Sequence, residues 1–313
     1  MSRVHDALSR AQVSSGGNGS ASDMPGQGGA PLFPIDGHEA STGWAAEPEG
    51  AGGAPGERMA YAPADLIAEP EQAGHEGAVF DDAPAVRIAE KLVLSPEMGH
   101  DSIEQYRRLA GRLHLAQAEH GIKVVMVASA LPGEGKTLTA TNLALTLSES
   151  YQRNVLLIDG DLRRPSVHEM FRISNISGLN DGLRSNGERK IPLVRWSDHL
   201  TLITAGRPDA DPMNVLVSSK MRKVISEAVG RFDWVIIDTP PVGLLTDASL
   251  FSAMVDTAIL VVQAGRTPHD EVKRAVQSIG RDRVFGVVLN RAKPRAQGAY
   301  AGYEYRYAQT ATK

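Results

Sequence analysis

The chain has 313 residues, a net charge of −4 and no cysteine, and its 42% hydrophobic content is ordinary for a globular protein. The absence of cysteine excludes disulfides, thiol nucleophiles and thiolate metal sites. No apolar run approaches the roughly 18 residues that a membrane-spanning helix needs, and the N-terminus has no signal-like apolar core. We therefore predict a cytoplasmic protein that is recruited to the inner face of the plasma membrane only by a partner.

The first 86 residues predict little folded structure. Residues 1–13 have apolar side chains at helical spacing and predict a short amphipathic helix. Residues 14–86 are rich in glycine and proline and contain twelve acidic residues but only one basic residue. This composition buries too little apolar surface to fold, so we predict a disordered linker. We predict a folded domain over 87–297 and a flexible, tyrosine-rich tail over 298–313.

Strand and helix patterns alternate through the folded domain. Helices fit residues 101–119, 137–149, 219–229 and 270–279. The apolar runs that predict strands are 122–128, 155–158, 200–204, 234–237, 258–263 and 284–289. Apolar strands joined by crossover helices predict an α/β fold of the P-loop NTPase kind, with a mostly parallel sheet and helices on both faces. Ligands bind such sheets at the C-terminal ends of the strands.

A phosphate-binding loop follows the first of these strands. Residues 130–137 read Ala-Leu-Pro-Gly-Glu-Gly-Lys-Thr, which is the Walker A pattern with alanine at the first glycine position. Main-chain N–H groups of such a loop wrap a phosphate at a helix N-terminus, Lys136 reaches the β- and γ-phosphates, and Thr137 binds Mg²⁺. The predicted nucleotide-binding residues are Gly133, Glu134, Gly135, Lys136, Thr137 and Leu138. ATP and Mg²⁺ are the predicted cofactors.

Aspartates stand at the ends of two further strands. Asp159 and Asp161 follow the strand at 155–158, and Asp238 follows the strand at 234–237. Mg²⁺ prefers oxygen ligands and keeps several waters, so one or two carboxylates suffice for a site. We predict that Asp238 and Asp159 bind Mg²⁺ together with the loop hydroxyl. A kinase also benefits from a carboxylate that accepts the proton of the attacking hydroxyl, and we assign that role to Asp159, supported by Asp161.

The last 14 residues contain four of the seven tyrosines of the chain. They are Tyr300, Tyr303, Tyr305 and Tyr307. Exposed phenols on a flexible end beside a phosphate-binding loop predict a phosphoryl acceptor. Taken alone, the segment favours an aromatic tail used for docking, and it is the phosphate-binding loop that favours the acceptor interpretation.

The combination resembles the bacterial tyrosine autokinases of exopolysaccharide and capsule biosynthesis, the BY-kinases. The resemblance rests on the loop at 132–137, on the strand-end pattern Asp159-x-Asp161-x-Arg163, on Asp-Thr-Pro-Pro at 238–241, and on the tyrosine tail. It implies an ATP-dependent protein-tyrosine kinase that phosphorylates its own C-terminal tyrosines and thereby regulates polymerisation and export of the polysaccharide. Lys136, Asp159, Asp161 and Asp238 are its expected catalytic residues.

The resemblance also implies two kinds of partner. One is a transmembrane chain-length determinant or co-polymerase, and the other is a homo-oligomeric ring in which one tail enters the next active site. The family's ring motif is Glu-x-x-Arg-x-x-Arg. Glu104 and Arg107 match it, but Ala110 stands in place of the second arginine. Arg108 lies four residues after Glu104 and is placed to compensate in part.

Two other classes of protein share some of these features. A partitioning ATPase of the ParA/MinD kind has the same fold and aspartate motifs, but its loop carries a lysine directly before a glycine pair, where this chain has Leu131. A non-catalytic nucleotide-binding scaffold would use the tail for docking. We predict no nucleic-acid partner, because the short basic stretch at 291–295 is typical of a solvated segment. Asn290 and Arg291 end the last strand, where either an adenine site or an ordinary turn fits.

Overall fold

A computed structural model of the chain describes residues 65–73, 90–185, 189–242 and 247–292. The predicted helix at 1–13, the four tail tyrosines and most of the predicted linker lie outside these residues. In the part of the chain that is described, no helix has the length and hydrophobicity needed to cross a bilayer.

Eight strands and eight α-helices make up the described fold. The strands are β1 (Ile67–Gln72), β2 (Val124–Ser129), β3 (Val155–Asp159), β4 (Ile191–Arg195), β5 (Leu200–Ile203), β6 (Trp234–Asp238), β7 (Thr257–Gln263) and β8 (Val284–Asn290). The helices are α1 (His100–His120), α2 (Lys136–Leu145), α3 (Val167–Phe171), α4 (Leu179–Arg184), α5 (Met213–Leu216), α6 (Ser219–Arg231), α7 (Asp247–Ser252) and α8 (His269–Ile279). A π-helical turn at Thr146–Ser150 continues α2, and a 3₁₀ turn at Arg281–Arg283 precedes β8.

The eight strands form one sheet in the order β1-β4-β5-β3-β6-β2-β7-β8. Every neighbouring pair is parallel except β4 and β5, which are antiparallel. The prediction of a mostly parallel α/β sheet is therefore confirmed. The antiparallel β4 was absent from the predicted strands, because its five residues include a proline and an arginine and do not form a continuous apolar run.

Helices cover both faces of the sheet, as predicted. Side chains alternate along the central strands, so that Met126 and Val125 on β2 belong to different apolar clusters. On the Met126 face, the cluster contains residues of α6 and α8. On the Val125 face, it contains residues of α1 and α2. This double cover explains why β2, β3 and β6 are buried along their whole length.

The prediction of a disordered linker over 14–86 is wrong for residues 65–73, because these residues contribute the edge strand β1. Ile67 is 1% exposed and pairs in register with Ile191 of β4. The main-chain N–H groups of Leu66 and Ile67 both donate to the Glu227 carboxylate of α6, at 3.0 Å. The average composition of residues 14–86 did not predict this strand, because one buried isoleucine and a distant carboxylate, rather than a long apolar run, hold it in place.

Candidate active site

The candidate site lies where three central strands end. β3, β6 and β2 are neighbours in the sheet, and the phosphate loop directly follows β2. Asp159 and Asp238 are the last residues of β3 and β6 and are paired in register. Because parallel strands end at one edge of the sheet, the fold brings the loop and both aspartates together.

The loop has the backbone shape that phosphate binding requires. Gly133 and Gly135 have φ angles of 75° and 96°, in the left-handed region that favours glycine. Gly135 caps α2, which begins at Lys136. The N–H groups of the first helical turn, from Lys136 to Leu138, have no partner within the helix. They form an anion site at the positive end of α2.

Glu134 ties the loop to the end of β7. Its side chain is only 2% exposed. Its carboxylate accepts hydrogen bonds from the N–H groups of Leu131 at 2.8 Å and Gln263 at 3.3 Å, and from the hydroxyl of Thr267. Glu134 was predicted to bind nucleotide through its main-chain N–H group, and its side chain fixes the loop to the end of β7.

Residues at the end of β8 hold the same loop from another side. The Asn290 amide donates to the main-chain oxygen of Glu134 at 2.8 Å, and the Arg291 guanidinium donates to that of Gly133 at 3.1 Å. A Cβ atom at Gly135 would overlap the Asn290 amide and displace it from its bond to the loop, in addition to the strain of the positive φ angle. The strand end at Asn290 and Arg291 therefore fixes the loop carbonyls.

Lys136 and Asp161 form an ion pair within the site. The Lys136 Nζ atom lies 3.1 Å from Asp161 Oδ2, and the two side chains are only 13% and 6% exposed. The other oxygen of Asp161 accepts from the Arg164 N–H at 3.1 Å. Burial alone would lower the pKa of Lys136, but the carboxylates of Asp238 and Asp161 outweigh it and raise that pKa. Lys136 is therefore held charged, facing the predicted carboxylates.

Asp159 is fully buried and held by main-chain donors. Its Oδ2 atom accepts from the N–H groups of Ser166 and Val167, both at 3.0 Å, and its Oδ1 accepts from Asp161 at 3.2 Å. Burial, followed by the charge of Asp238, raises its pKa to about 8, although the two main-chain donors at the start of α3 oppose the shift. Asp159 therefore holds a proton more strongly than an ordinary carboxylate.

Asp238 is the least satisfied polar side chain of the site. It is fully buried, and neither of its carboxylate oxygens accepts a hydrogen bond. Burial raises its pKa to about 6, and the Lys136 ammonium group limits that rise. A buried carboxylate whose oxygens accept no hydrogen bond is costly, and Lys136 offsets that cost only in part, so this position favours a further positive charge.

The residues present fit a magnesium ion bound together with a nucleotide. Among the residues that the structure describes, no three acidic or histidine side chains converge closely enough to bind a metal by themselves. Mg²⁺ needs no such cage, because one or two carboxylates, waters and nucleotide phosphates complete its shell. The unpartnered oxygens of Asp238 and the hydroxyl of Thr137 are the groups that would hold it, with Asp159 beside them.

Ser166 is a residue of this site that the sequence did not single out. Its hydroxyl lies 3.1 Å from that of Thr137, and its N–H donates to Asp159. It precedes α3 but makes no side-chain capping bond to that helix. No sequence pattern marks it, since the contact with Thr137 joins residues 29 positions apart.

The ring motif on α1 is divided between surface and core. Arg107 and Glu104 form an ion pair at 2.7 Å on the surface of α1, and Arg108 is exposed. Ala110, at the position of the second family arginine, is fully buried in the cluster on the α1 face of the sheet. An arginine at this position would enter the core in the described fold.

Comparison with known proteins adds family relationships to this geometry. A family model described as ParA, NUBPL iron-transfer P-loop NTPase, matches residues 121–299. Tyrosine-protein kinase YwqD of Bacillus subtilis (strain 168) is 32% identical over 221 residues, which cover 69% of this chain and 92% of YwqD. The family model thus agrees with the fold, and the relative extends the similarity over nearly its whole length.

Two further comparisons involve larger proteins or solved structures. Tyrosine-protein kinase wzc of Salmonella typhimurium (strain LT2) is 33% identical over 211 residues, and the matched region spans 29% of wzc. The solved kinase domain of Escherichia coli tyrosine kinase ETK has a TM-score of 0.57 and 31% sequence identity, covering 64% of this chain and 79% of that domain. The matched part of this chain therefore corresponds to a kinase domain.

Proposed function

The chain belongs to the bacterial tyrosine-protein kinases with a ParA-type P-loop NTPase fold, and from this membership we propose that it is an autokinase that transfers the γ-phosphate of ATP to tyrosines of its own C-terminal tail. The acceptors are Tyr300, Tyr303, Tyr305 and Tyr307. The observation that carries the proposal is the 32% identity to a tyrosine-protein kinase over 92% of that protein. The second buried carboxylate, Asp159, lies beside the metal-type carboxylate Asp238, where the reaction needs a base. A phenol must lose a proton when it attacks, and Asp159 supplies a base for that proton.

In the proposed reaction, the loop and Lys136 position the phosphates. The N–H groups at the start of α2 bind the β-phosphate, and the Lys136 ammonium group neutralises charge on the transferring phosphoryl group. The phenolic oxygen forms a bond to the γ-phosphorus, the bond from that phosphorus to the β-phosphate oxygen breaks, and ADP leaves. The phenolic proton passes to the Asp159 carboxylate.

Magnesium supplies the charge that makes the polyphosphate a good electrophile and leaving group. Thr137 and Asp238 would hold it, and Asp159 would lie beside it. A nearby dication lowers the pKa of a carboxylate. The pKa of about 8 for Asp159 in the metal-free site would then fall toward neutrality, which suits a base that must accept a proton near pH 7.

We assign the biological role from the family and from the chain's own sequence. Tail phosphorylation would regulate polymerisation and export of an exopolysaccharide, with a transmembrane chain-length determinant or co-polymerase as activating partner. That partner would recruit a cytoplasmic kinase to the inner face of the plasma membrane. The alternatives are less well supported. A non-catalytic scaffold would not need the full set of site residues, which this chain has in Lys136, Thr137, Asp159 and Asp238. The kinase relatives argue against a partitioning ATPase.

The test is incubation of the full chain with Mg-ATP, with and without the cytoplasmic fragment of a co-polymerase. Phosphotyrosine is then detected by antibody and mapped by mass spectrometry. We expect phosphate on the tail and a loss of about 10²- to 10³-fold in rate for Lys136→Met, since removing one positioned donor to a developing charge has that effect.

The matched control is Lys273→Met, which removes an exposed lysine of α8 far from the loop in sequence. It should retain the full rate. Tails that carry no phosphate under both conditions would contradict the kinase proposal, and an equal loss in both lysine variants would contradict the assignment of Lys136.

A further inference from the structure

In the described part of the chain, the apolar strand β8 has an uncovered outer edge. Within the described residues, β8 is the last strand of the sheet and pairs only with β7. Its sequence, Val-Phe-Gly-Val-Val-Leu-Asn, has no charged residue and no proline. Val287 and Leu289 are 39% and 59% exposed. Proteins usually protect such an edge with charge, proline or a covering segment, because it offers unpaired main-chain groups to any other strand.

The two exposed side chains lie on one face of the sheet. Leu289 is in register with Val262 of β7, and Val287 with Leu260. Val262 and Leu260 belong to the apolar cluster that α8 helps to cover. α8 thus leaves Val287 and Leu289 exposed at the edge of this face. Their alternating apolar pattern is suited to pairing with another strand.

The chain leaves β8 in a way that favours a reversal. Arg291 directly follows the strand and has a φ angle of 56°, in the left-handed region. Its guanidinium is fixed to the main-chain oxygen of Gly133 and reaches the Gln263 side chain at 3.4 Å. A left-handed residue at a strand end is typical of tight turns and hairpin connections. The segment that continues from this point ends 22 residues later, at Lys313.

This same segment has the sequence pattern of a half-buried strand. Tyr303, Tyr305 and Tyr307 alternate with Glu304 and Arg306. Strict alternation of aromatic and charged residues is typical of a β-strand with one apolar face, and tyrosine favours strands. About eleven residues separate Arg291 from Tyr303, enough for a connecting loop.

We propose that the tyrosine segment 303–307 folds back onto the outer edge of β8 as a ninth, antiparallel strand of the same chain. Its main chain would hydrogen-bond the unpaired N–H and C=O groups at the outer edge of β8, and its tyrosines would cover Val287 and Leu289. In an antiparallel pair, opposite residues share a face. Odd-numbered tail residues would therefore lie opposite Leu289 on the α8 side, and Glu304 and Arg306 would point to the other side.

The regulatory consequence rests on the proposed autokinase function. A docked tail withholds Tyr303, Tyr305 and Tyr307 from any active site. Phosphorylation adds nearly two negative charges to a phenol and would place them against the apolar margin of the sheet. Desolvation of that charge disfavours docking, so phosphorylated tails would remain undocked.

The absence of native cysteine makes disulfide trapping a direct test. Leu289→Cys is combined with Tyr303→Cys, Tyr305→Cys, Glu304→Cys or Arg306→Cys, all in the full-length Lys136→Met chain. Cross-strand Cβ atoms approach closely enough for a disulfide. We expect the tyrosine positions to form intramolecular disulfides at least about tenfold faster than Glu304 and Arg306, because a one-residue shift moves a side chain to the other face.

Equal rates at all four positions would overturn the proposal in favour of an unpaired tail, and disulfides only between chains would overturn it in favour of a second copy.

Hydrogen exchange provides a measurement without cysteines. Removal of residues 298–313 should speed exchange of β8 amides about tenfold, whereas unchanged exchange would contradict docking. Neither assay needs kinase activity, so trapping without tail phosphorylation in the native chain would refute only the proposed function.

Discussion

At the scale of single residues, the candidate site contains more negative than positive charge. Asp159, Asp161 and Asp238 face the single ammonium group of Lys136, and both strand-end aspartates are fully buried. Asp161 has the ion pair, and Asp159 has main-chain donors, which leaves Asp238 without a hydrogen bond. We therefore expect the site to favour a cationic ligand, and we predict that without one these charges reduce the stability of the folded chain.

The first prediction concerns the pH dependence of stability. The pKa values of Asp238 and Asp159 are about 6 and about 8 in the folded chain, both above the ordinary 3.8. The folded state thus binds more protons than the unfolded state between about pH 4 and pH 8, so the free energy of unfolding falls as pH rises through that range. Asp238→Asn should reduce this fall and should stabilise the nucleotide-free chain near pH 7.5 by roughly 1–2 kcal/mol.

Urea unfolding without nucleotide at several pH values measures this effect. Asp198→Asn, which changes an exposed carboxylate, is the control and should leave the pH profile unchanged. A less stable Asp238→Asn chain at neutral pH would mean that Lys136 already compensates the buried charge. Mg-ATP should stabilise the native chain and not the Asp238→Asn variant, because its Mg²⁺ supplies the positive charge that the native Asp238 carboxylate lacks.

At the scale of elements, the ends of two neighbouring strands hold the phosphate loop. Glu134 anchors the loop to β7, and Asn290 and Arg291 anchor it to β8. The main-chain oxygens of Gly133 and Glu134 are thereby engaged by the end of β8. The end of β8 thus contacts the phosphate loop and continues into the segment that leads to the tail.

The second prediction concerns the docking of β1 by Glu227. Both oxygens of this carboxylate accept from Leu66 N at 3.0 Å, and one also accepts from Ile67 N. Hydrogen bonds to a charged acceptor contribute roughly 1.5–3 kcal/mol, and glutamine retains a weaker, neutral acceptor. Glu227→Gln should therefore lower the free energy of unfolding by about 1 kcal/mol and speed amide exchange at residues 67–72.

Hydrogen exchange with mass spectrometry resolves this peptide from the rest of the sheet. Glu119→Gln changes an exposed glutamate at the end of α1 and should leave exchange in β1 unchanged. Equal protection of β1 in both variants would show that Ile67 and the pairing with β4 hold the strand without the carboxylate.

At the scale of the whole molecule, we predict assembly through the tail rather than through a complete α1 motif. Glu104 and Arg107 pair with each other on one protomer, and Ala110 lies in the core. An arginine at position 110 would place a charge in a packed apolar cluster, so restoring the family motif by Ala110→Arg is unsuitable as a test of assembly.

The third prediction therefore tests assembly through the tail. If tails enter neighbouring active sites, replacement of Tyr300, Tyr303, Tyr305 and Tyr307 by glutamate should shift the oligomer toward monomer, because the added charges oppose the acidic site. Replacement of the same four residues by phenylalanine preserves ring size without that charge and should retain the oligomer. Light scattering after size exclusion measures both, and identical masses would contradict a ring held by its tails.

The sequence determined the central architecture and the residues that make up the candidate site. The apolar runs at β2, β3, β6 and β7 are buried on both faces, and such strands can be predicted from the continuous apolar run alone. The loop spacing and the strand-end aspartates were likewise local patterns. Their convergence follows from a single topological rule, that parallel strands end at the same edge of a sheet.

Only the tertiary structure decided what depends on distant contacts. β1 is held by Glu227, which lies 160 positions after Ile67. The phosphate loop is held by the side chains of Thr267 and Asn290, which lie more than 120 positions after Glu134. The hydroxyl contact between Ser166 and Thr137, the burial of Ala110 and the open edge of β8 are of the same kind. Local patterns report propensity and periodicity, whereas these features arise from which elements the fold makes neighbours, and no short stretch of sequence contains that information.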